Sequence, residues 1–141
     1  MKAFSTEIDI HAPAETVWSI LTNGAKYQEW DANMISLDGK IAPGETLTIT
    51  TKFDPNRAFK PKVEVFEPNR KMVWKSGMPL GLFSGERTFT LTPQGAESVK
   101  FSMREEFKGL LLPLFGGSIP DMTPVFDEFG KALKHRAENA S

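Results

Sequence analysis

The sequence predicts an α+β domain: a curved antiparallel sheet of seven strands wrapped around one long C-terminal helix, with two short helices after the first strand. Three observations predict it. Between residues 34 and 108 the chain is a succession of short period-two runs separated by turn residues, the pattern of consecutive hairpins. Near the C-terminus Met122, Val125, Phe126, Phe129 and Leu133 recur at spacings of three and four, a wide apolar stripe on a helix. The aromatic content is 11 Phe, 3 Trp and 1 Tyr. Phe brings apolar area without a polar handle, which points to a large core or a cavity with apolar walls.

The first strand covers Phe4 to Ile10, where Phe4, Ile8 and Ile10 share a face with Thr6 between them. Ala12-Pro13 stops it. Pro13 suits the first position of a helix, where its missing N–H costs nothing. Glu15 falls in the first turn, where the helix dipole favours negative charge. Val17, Trp18, Ile20 and Leu21 form the apolar side of this helix, and Asn23-Gly24 ends it. Ala25 to Trp30 reads as a second short helix, with Tyr27 and Trp30 on one side.

The remaining strands are Met34–Asp38, Glu45–Phe53, Lys60–Glu67, Lys71–Ser76, Leu82–Thr92 and Ser98–Lys108. Their breaks are Asp38-Gly39, Asp54-Pro55-Asn56, Pro68-Asn69, Gly77 and Pro93-Gln94-Gly95-Ala96. The long helix starts either at Ser118, with Asp121 three residues on, or at Thr123, with Pro124 at its first position. A helix laid across a curved sheet leaves part of the concavity unfilled, and that space is a pocket. The chain shows no repeat and no linker, so residues 1–141 are expected to form a single domain.

Composition excludes several function classes. There are 17 basic and 18 acidic residues, a formal net charge of −1, so no bulk charge invites nucleic acid or an acidic membrane surface. With no cysteine there is no disulfide, thiol catalysis, iron–sulfur cluster or cysteine-ligated zinc. His11 and His135 stand in no metal-spaced motif, so neither a metal nor a cofactor is expected. Both are expected on the surface, His135 near the negative end of the helix dipole. No run approaches the 18 or more apolar residues of a membrane span. The opening MKAFSTEIDIHAP alternates and does not form a continuous apolar signal region. The expectation is a cytoplasmic protein, monomeric or weakly dimeric, without stable membrane insertion.

Chemistry is sought where the alternation is interrupted. In the last strand Val99, Phe101, Met103, Glu105 and Phe107 share a face; in the strand before it Phe83, Arg87, Phe89 and Leu91 do. Each apolar face thus carries one charged residue, of opposite sign, and the hairpin around Gln94 to Ser98 sets Arg87 and Glu105 opposite or diagonal to one another. One reading is a polar anchor in a greasy pocket, with the Arg fork orienting a carboxylate, hydroxyl or keto group. The other is a structural salt bridge, wet at the pocket mouth. Trp74, on the face of Met72 and Ser76, is cavity wall or core filler; Trp18 and Trp30 are expected to pack helices. With Trp74, the candidate ligand-binding residues are Phe83, Arg87, Phe89, Phe101, Met103, Glu105, Phe107, Met122 and Phe126. The segment Gly109 to Gly117 is the most apolar in the chain yet is bounded by glycines and broken by Pro113. It reads as a lid carried by Leu110, Leu111, Leu112, Leu114 and Phe115, as a membrane or partner contact, or as inward-packed first turns of the long helix.

The pattern Ile8-x-Ile10-x-Ala12-Pro13-x-x-x-Val17-Trp18, the helical turn ending in Tyr27-x-x-Trp30, and the turn Glu67-Pro68-Asn69-Arg70 followed by a strand carrying Trp74 together resemble the START-like SRPBCC superfamily. The resemblance runs from Phe4 to about Arg136 and includes the order of elements. It implies the helix-grip fold shared by birch-pollen-type allergens, lipid-transfer domains and polyketide cyclases. The function it implies is binding of a small hydrophobic ligand: a lipid, an isoprenoid, a quinone or a polyketide-like aromatic. Two alternatives come with it. One is a cyclase or dehydratase, in which Arg87 would polarise a carbonyl and Glu105 would move a proton. The other is an interaction module of the chaperone-activator kind. No catalytic motif of the superfamily matches residue by residue, and fold does not choose between these functions.

Overall fold

The architecture comes from a computed structural model that describes residues 2–52, 54–78, 81–109 and 120–140. In chain order the elements are β1 (Lys2–Ile10), α1 (Ala14–Leu21), a 3-10 turn (Gly24–Lys26), α2 (Tyr27–Trp30), β2 (Met34–Asp38), β3 (Thr48–Thr51), β4 (Asp54–Phe59), β5 (Lys62–Glu67), β6 (Lys71–Met78), β7 (Phe83–Pro93), β8 (Val99–Lys108) and α3 (Thr123–Glu138). Two short helical pieces, antiparallel strands and a long terminal helix give the α+β helix-grip fold that the sequence predicts.

The strands divide differently from the expected single set of seven. Among the described residues there are eight, in a five-stranded group ordered β1-β8-β7-β6-β5 and a three-stranded group ordered β2-β3-β4. The extra strand arises because Asp54-Pro55-Asn56 opens β4 and does not end the sheet. Pro55 is tolerated there because β4 is an edge strand, where a missing N–H breaks no central ladder. Among the described residues the two groups meet at a single bridge, Thr46 to Lys62. Three irregular backbone bonds support it: Gly44 N–H to Val63 (2.8 Å), Leu47 N–H to Pro61 (2.8 Å) and Val63 N–H to Glu45 (2.9 Å).

Pro13 sits one position earlier than expected. It is the residue before α1, and its carbonyl accepts the N–H groups of Thr16 (3.1 Å) and Val17 (3.2 Å). Of the two possible starts for α3, the helix takes Thr123, whose N–H donates to the Asp121 carboxylate at 2.9 Å. Phe126, Phe129 and Leu133 are buried against the sheet, with Met122 and Val125 packed beside them. On its other flank α3 is tied to β1. Thr6 donates to Asp127 (2.6 Å), Lys134 to the Asp9 carbonyl (2.8 Å), and the His11 N–H to Glu138 (2.8 Å). Gly130 faces Ile8 across this contact, and a Cβ there would meet Ile8 Cγ2 at an ordinary packing distance of 3.5 Å.

Tyr27, Trp30, Trp74, Phe89, Phe101 and Phe129 form one connected ring cluster. Trp30 meets Phe129 edge-on at 5.2 Å and Tyr27 at 4.8 Å, while Phe129 reaches both Phe89 (6.3 Å) and Phe101 (6.1 Å). Trp18 packs on Phe66 of β5 at 5.3 Å and is buried in the core. His11 and His135 are both exposed.

Truncating this cluster tests the placement of α3. Phe126→Ala and Phe129→Ala should each lower stability by about 3–5 kcal/mol, the usual range for an emptied buried Phe site. Urea unfolding measures it, and unchanged midpoints in both variants would mean that α3 does not lie on the sheet.

Candidate functional site

Register determines which side chains meet beneath α3. Trp74, Arg87, Glu105 and Phe4 are successive partners across β6, β7, β8 and β1, so they lie in one row. Met72, Phe89, Met103 and Thr6 form the next row on the same face, and Ser76, Gly85, Phe107 and Lys2 the row on the other side. The inner face is thereby graded. Phe89, Phe101, Met103 and Phe126 belong to the closed core, and Trp74 is 4% exposed against Phe89, ring to ring at 4.7 Å. Phe83, Arg87, Glu105, Phe107 and Met122 are only half-buried. Phe107 stacks on Phe83 at 6.2 Å and meets Phe4 edge-on at 6.3 Å. Gly85 leaves the Phe107 ring its room, because a Cβ would stand 3.4 Å from it.

Arg87 and Glu105 mark the boundary between the closed and the open part. The guanidinium grips the carboxylate with two prongs, Nε to Oε1 at 3.2 Å and Nη2 to Oε2 at 3.4 Å. The guanidinium carbon also lies 5.1 Å from the centre of the Phe126 ring, so the pair faces α3 and not the outer surface. The side chains retain 26% and 16% of their exposure, which keeps the pair partly wet and its contribution to stability small.

Two polar residues join this cluster without a signal strong enough to single them out from sequence. Asp31, which follows α2, is the buried charged residue of the described chain. Burial pushes its carboxyl above the ordinary value of 3.8, against the opposing pull of the Asn33 N–H and of Arg87. Tyr27 is fully enclosed, its hydroxyl donating to the Leu21 carbonyl at 2.5 Å. Burial and then the nearby Asp31 carboxylate push that hydroxyl's pKa up, with Arg87 opposing. Tyr27 is the only tyrosine, which is the one hint the sequence offered. Asp31-Ala32-Asn33 also has the composition of an Asx turn, and Asp31 Oδ1 does accept the Asn33 N–H at 3.1 Å. Asp31 opens onto a groove of about 430 Å³ between the α2–β2 connection and α3, lined also by Lys52, Val125 and Phe129.

Two indole N–H groups, those of Trp30 and Trp74, are buried and meet no acceptor among the described residues; of the two, only Trp74 stands in the row of Arg87 and Glu105. The expected lid residues Leu110, Leu111, Leu112, Leu114 and Phe115 lie outside the described residues. Gly109, which precedes them, has φ +127° and would bring a Cβ within 2.6 Å of the Leu82 carbonyl oxygen, so only glycine fits there.

The fold agrees with what known proteins show. The chain belongs to the family described as polyketide cyclase / dehydrase and lipid transport, whose pattern matches residues 1–138. No curated protein matches the chain significantly. Among solved structures it is similar to a START superfamily protein from Mycobacterium smegmatis (TM-score 0.72, 18% identity, 99% of each chain). It is also similar to protein MLL2253 from Mesorhizobium loti (TM-score 0.73, 21% identity, 99% of each chain). A third is norcoclaurine synthase from Thalictrum flavum, solved with dopamine and hydroxybenzaldehyde (TM-score 0.73, 15% identity, 99% of this chain and 88% of that one). At these identities the likeness establishes the fold. Among the described residues no helix is long and apolar enough to cross a membrane.

The environment of Asp31 has a pH signature. A carboxyl whose folded pKa is raised contributes stability that is complete below its unfolded value and lost as pH rises through the folded one. Asp31→Asn keeps the acceptor for the Asn33 N–H and removes the charge. The variant should therefore gain on the parent protein as pH rises from the ordinary carboxylate range towards neutrality. Urea midpoints of both proteins across that range measure the trend, and a gap that closes or reverses as pH rises contradicts it.

Proposed function

We propose that this domain is a cytoplasmic binding module for a small, mostly hydrophobic ligand held between the sheet and α3, with Arg87 and Glu105 as its polar anchor. The lipid, isoprenoid, quinone and polyketide-like aromatic classes all fit that description. The observation that carries the reading is the ion pair itself: a two-pronged Arg–carboxylate contact on an apolar inner face, turned towards the covering helix. A charge pair in such a place adds little to stability compared with apolar side chains of the same volume, so its presence calls for another role. The half-buried Phe83, Phe107 and Met122 form the open rim, and Trp74, Phe89, Phe101, Met103 and Phe126 the deeper wall. The family description, which spans cyclases, dehydrases and lipid transport, supports an apolar or polyketide-like ligand.

A cyclase or dehydratase activity is the second reading, and Asp31 is the observation that favours it. A carboxyl kept protonated to higher pH, close to a guanidinium that can polarise a carbonyl, is a general acid in waiting. In that case Glu105→Gln or Asp31→Asn abolishes turnover of a polyketide-like substrate and leaves its binding intact.

Native mass spectrometry of the gently purified protein tests the first reading directly, by the mass of a co-purifying apolar molecule. With an oxygen-bearing ligand in hand, Arg87→Met keeps the apolar stem and removes the fork. It should weaken binding by about 1.5–3 kcal/mol, the range for a hydrogen bond to a charged group, while circular dichroism stays unchanged. Equal affinity in the variant would remove Arg87 from the site.

A further inference from the structure

Resting on the proposed apolar pocket, we infer that its ligand presents a neutral carbonyl oxygen, and that this oxygen is held by two donors side by side, the Trp74 indole N–H and the free edge of the Arg87 guanidinium. Trp74 and Arg87 are direct partners across β6 and β7, so their side chains leave the sheet on the same face at neighbouring positions. Arg87 spends Nε and Nη2 on Glu105. Its Nη1 has no partner among the described residues. The Trp74 N–H has none either, although the residue is 4% exposed. A donor shut away from water without an acceptor is costly, and native chains leave few of them. A ligand oxygen that parts α3 slightly from this row satisfies that donor, which offsets the cost of opening the contact.

Charge decides which oxygen. Arg87 already holds the Glu105 carboxylate. A ligand carboxylate would be a second one around a single guanidinium on a half-buried face, where the two like charges repel. Lys2 could offset part of that, but it lies one row further towards the rim, with its ammonium 5.7 Å over the Phe4 ring. A ketone, ester or quinone oxygen accepts two hydrogen bonds and adds no charge. The substrate class is thus an apolar skeleton bearing a carbonyl, as distinct from a free fatty acid.

Three probes on one ring system separate the possibilities: 2-ethylnaphthalene, 2-acetylnaphthalene and 2-naphthoate, titrated at neutral pH into the whole chain. The ketone should bind tightest. Trp74→Phe should weaken the ketone about five- to tenfold, the worth of one neutral hydrogen bond, and leave the hydrocarbon within about twofold. A second readout does not depend on the variant folding. In NMR the Trp74 indole N–H proton should move downfield on adding the ketone and stay in place with the hydrocarbon. Tighter binding of naphthoate overturns the charge argument. Hydrocarbon and ketone bound equally, with no shift of the indole proton, overturns the donor pair and leaves the apolar pocket standing. No binding by any of the three probes overturns the pocket and this inference with it.

Discussion

A sheet with one apolar face is not stable in water until something covers that face, and in this chain the cover is α3. Its apolar stripe supplies the burial, and polar ties along β1 add direction: Thr6 to Asp127, Lys134 to the Asp9 carbonyl, and the His11 N–H to Glu138. Hydrophobic contact is non-directional and would accept many crossing positions. The hydrogen bonds favour one of them. Because β1 is an outer strand of the five-stranded group, a helix fixed there reaches over the middle strands with its side chains. Phe126 and Phe129 span that distance, and Arg87 answers Phe126 from the sheet side.

This arrangement explains why polarity appears where it does. On the sheet side, close to Leu133 and Phe129, the gap is filled by the apolar side chains of Phe101, Phe89 and Met103. One row further along, beside Trp74 and below the first turn of α3, exposure returns and the sheet can carry Arg87 and Glu105. The pair is too wet to be a strong staple and too dry to be a surface ion pair. Asp31 is buried just after α2, where burial raises its pKa and the charge of Arg87 acts in the opposite direction.

How much of this could be read from residues alone follows the range of the interaction. Period two placed Arg87 and Glu105 on one face and opposite each other, because a hairpin converts sequence distance directly into register. The stripe of α3 was equally legible, since helical spacing is a local property. The division into two strand groups was not, because it depends on backbone bonds such as Leu47 to Pro61 that carry no side-chain signature. Pro55 misled for the same reason: its effect depends on whether its strand is central or at an edge, which only the assembled sheet decides. Asp31 was invisible because nothing local distinguishes a buried Asx-turn aspartate from an exposed one. The orphaned Trp74 N–H is also beyond the sequence, because an absent acceptor is a property of the surroundings.

The low identity to structures of the same shape fits this division. Protein MLL2253 and norcoclaurine synthase keep the architecture at 21% and 15% identity. That is possible because the fold asks only for alternation, a stripe and a few turns, which many sequences satisfy. The chemistry lies in the exceptions to those patterns: a charge on an apolar strand face, a buried aspartate after a short helix, an indole N–H without an acceptor. Since the fold does not require such exceptions, nothing obliges two members to share them. The ligand of this chain therefore has to be argued from Arg87, Glu105, Asp31 and Trp74 themselves, whatever molecule a structural neighbour holds.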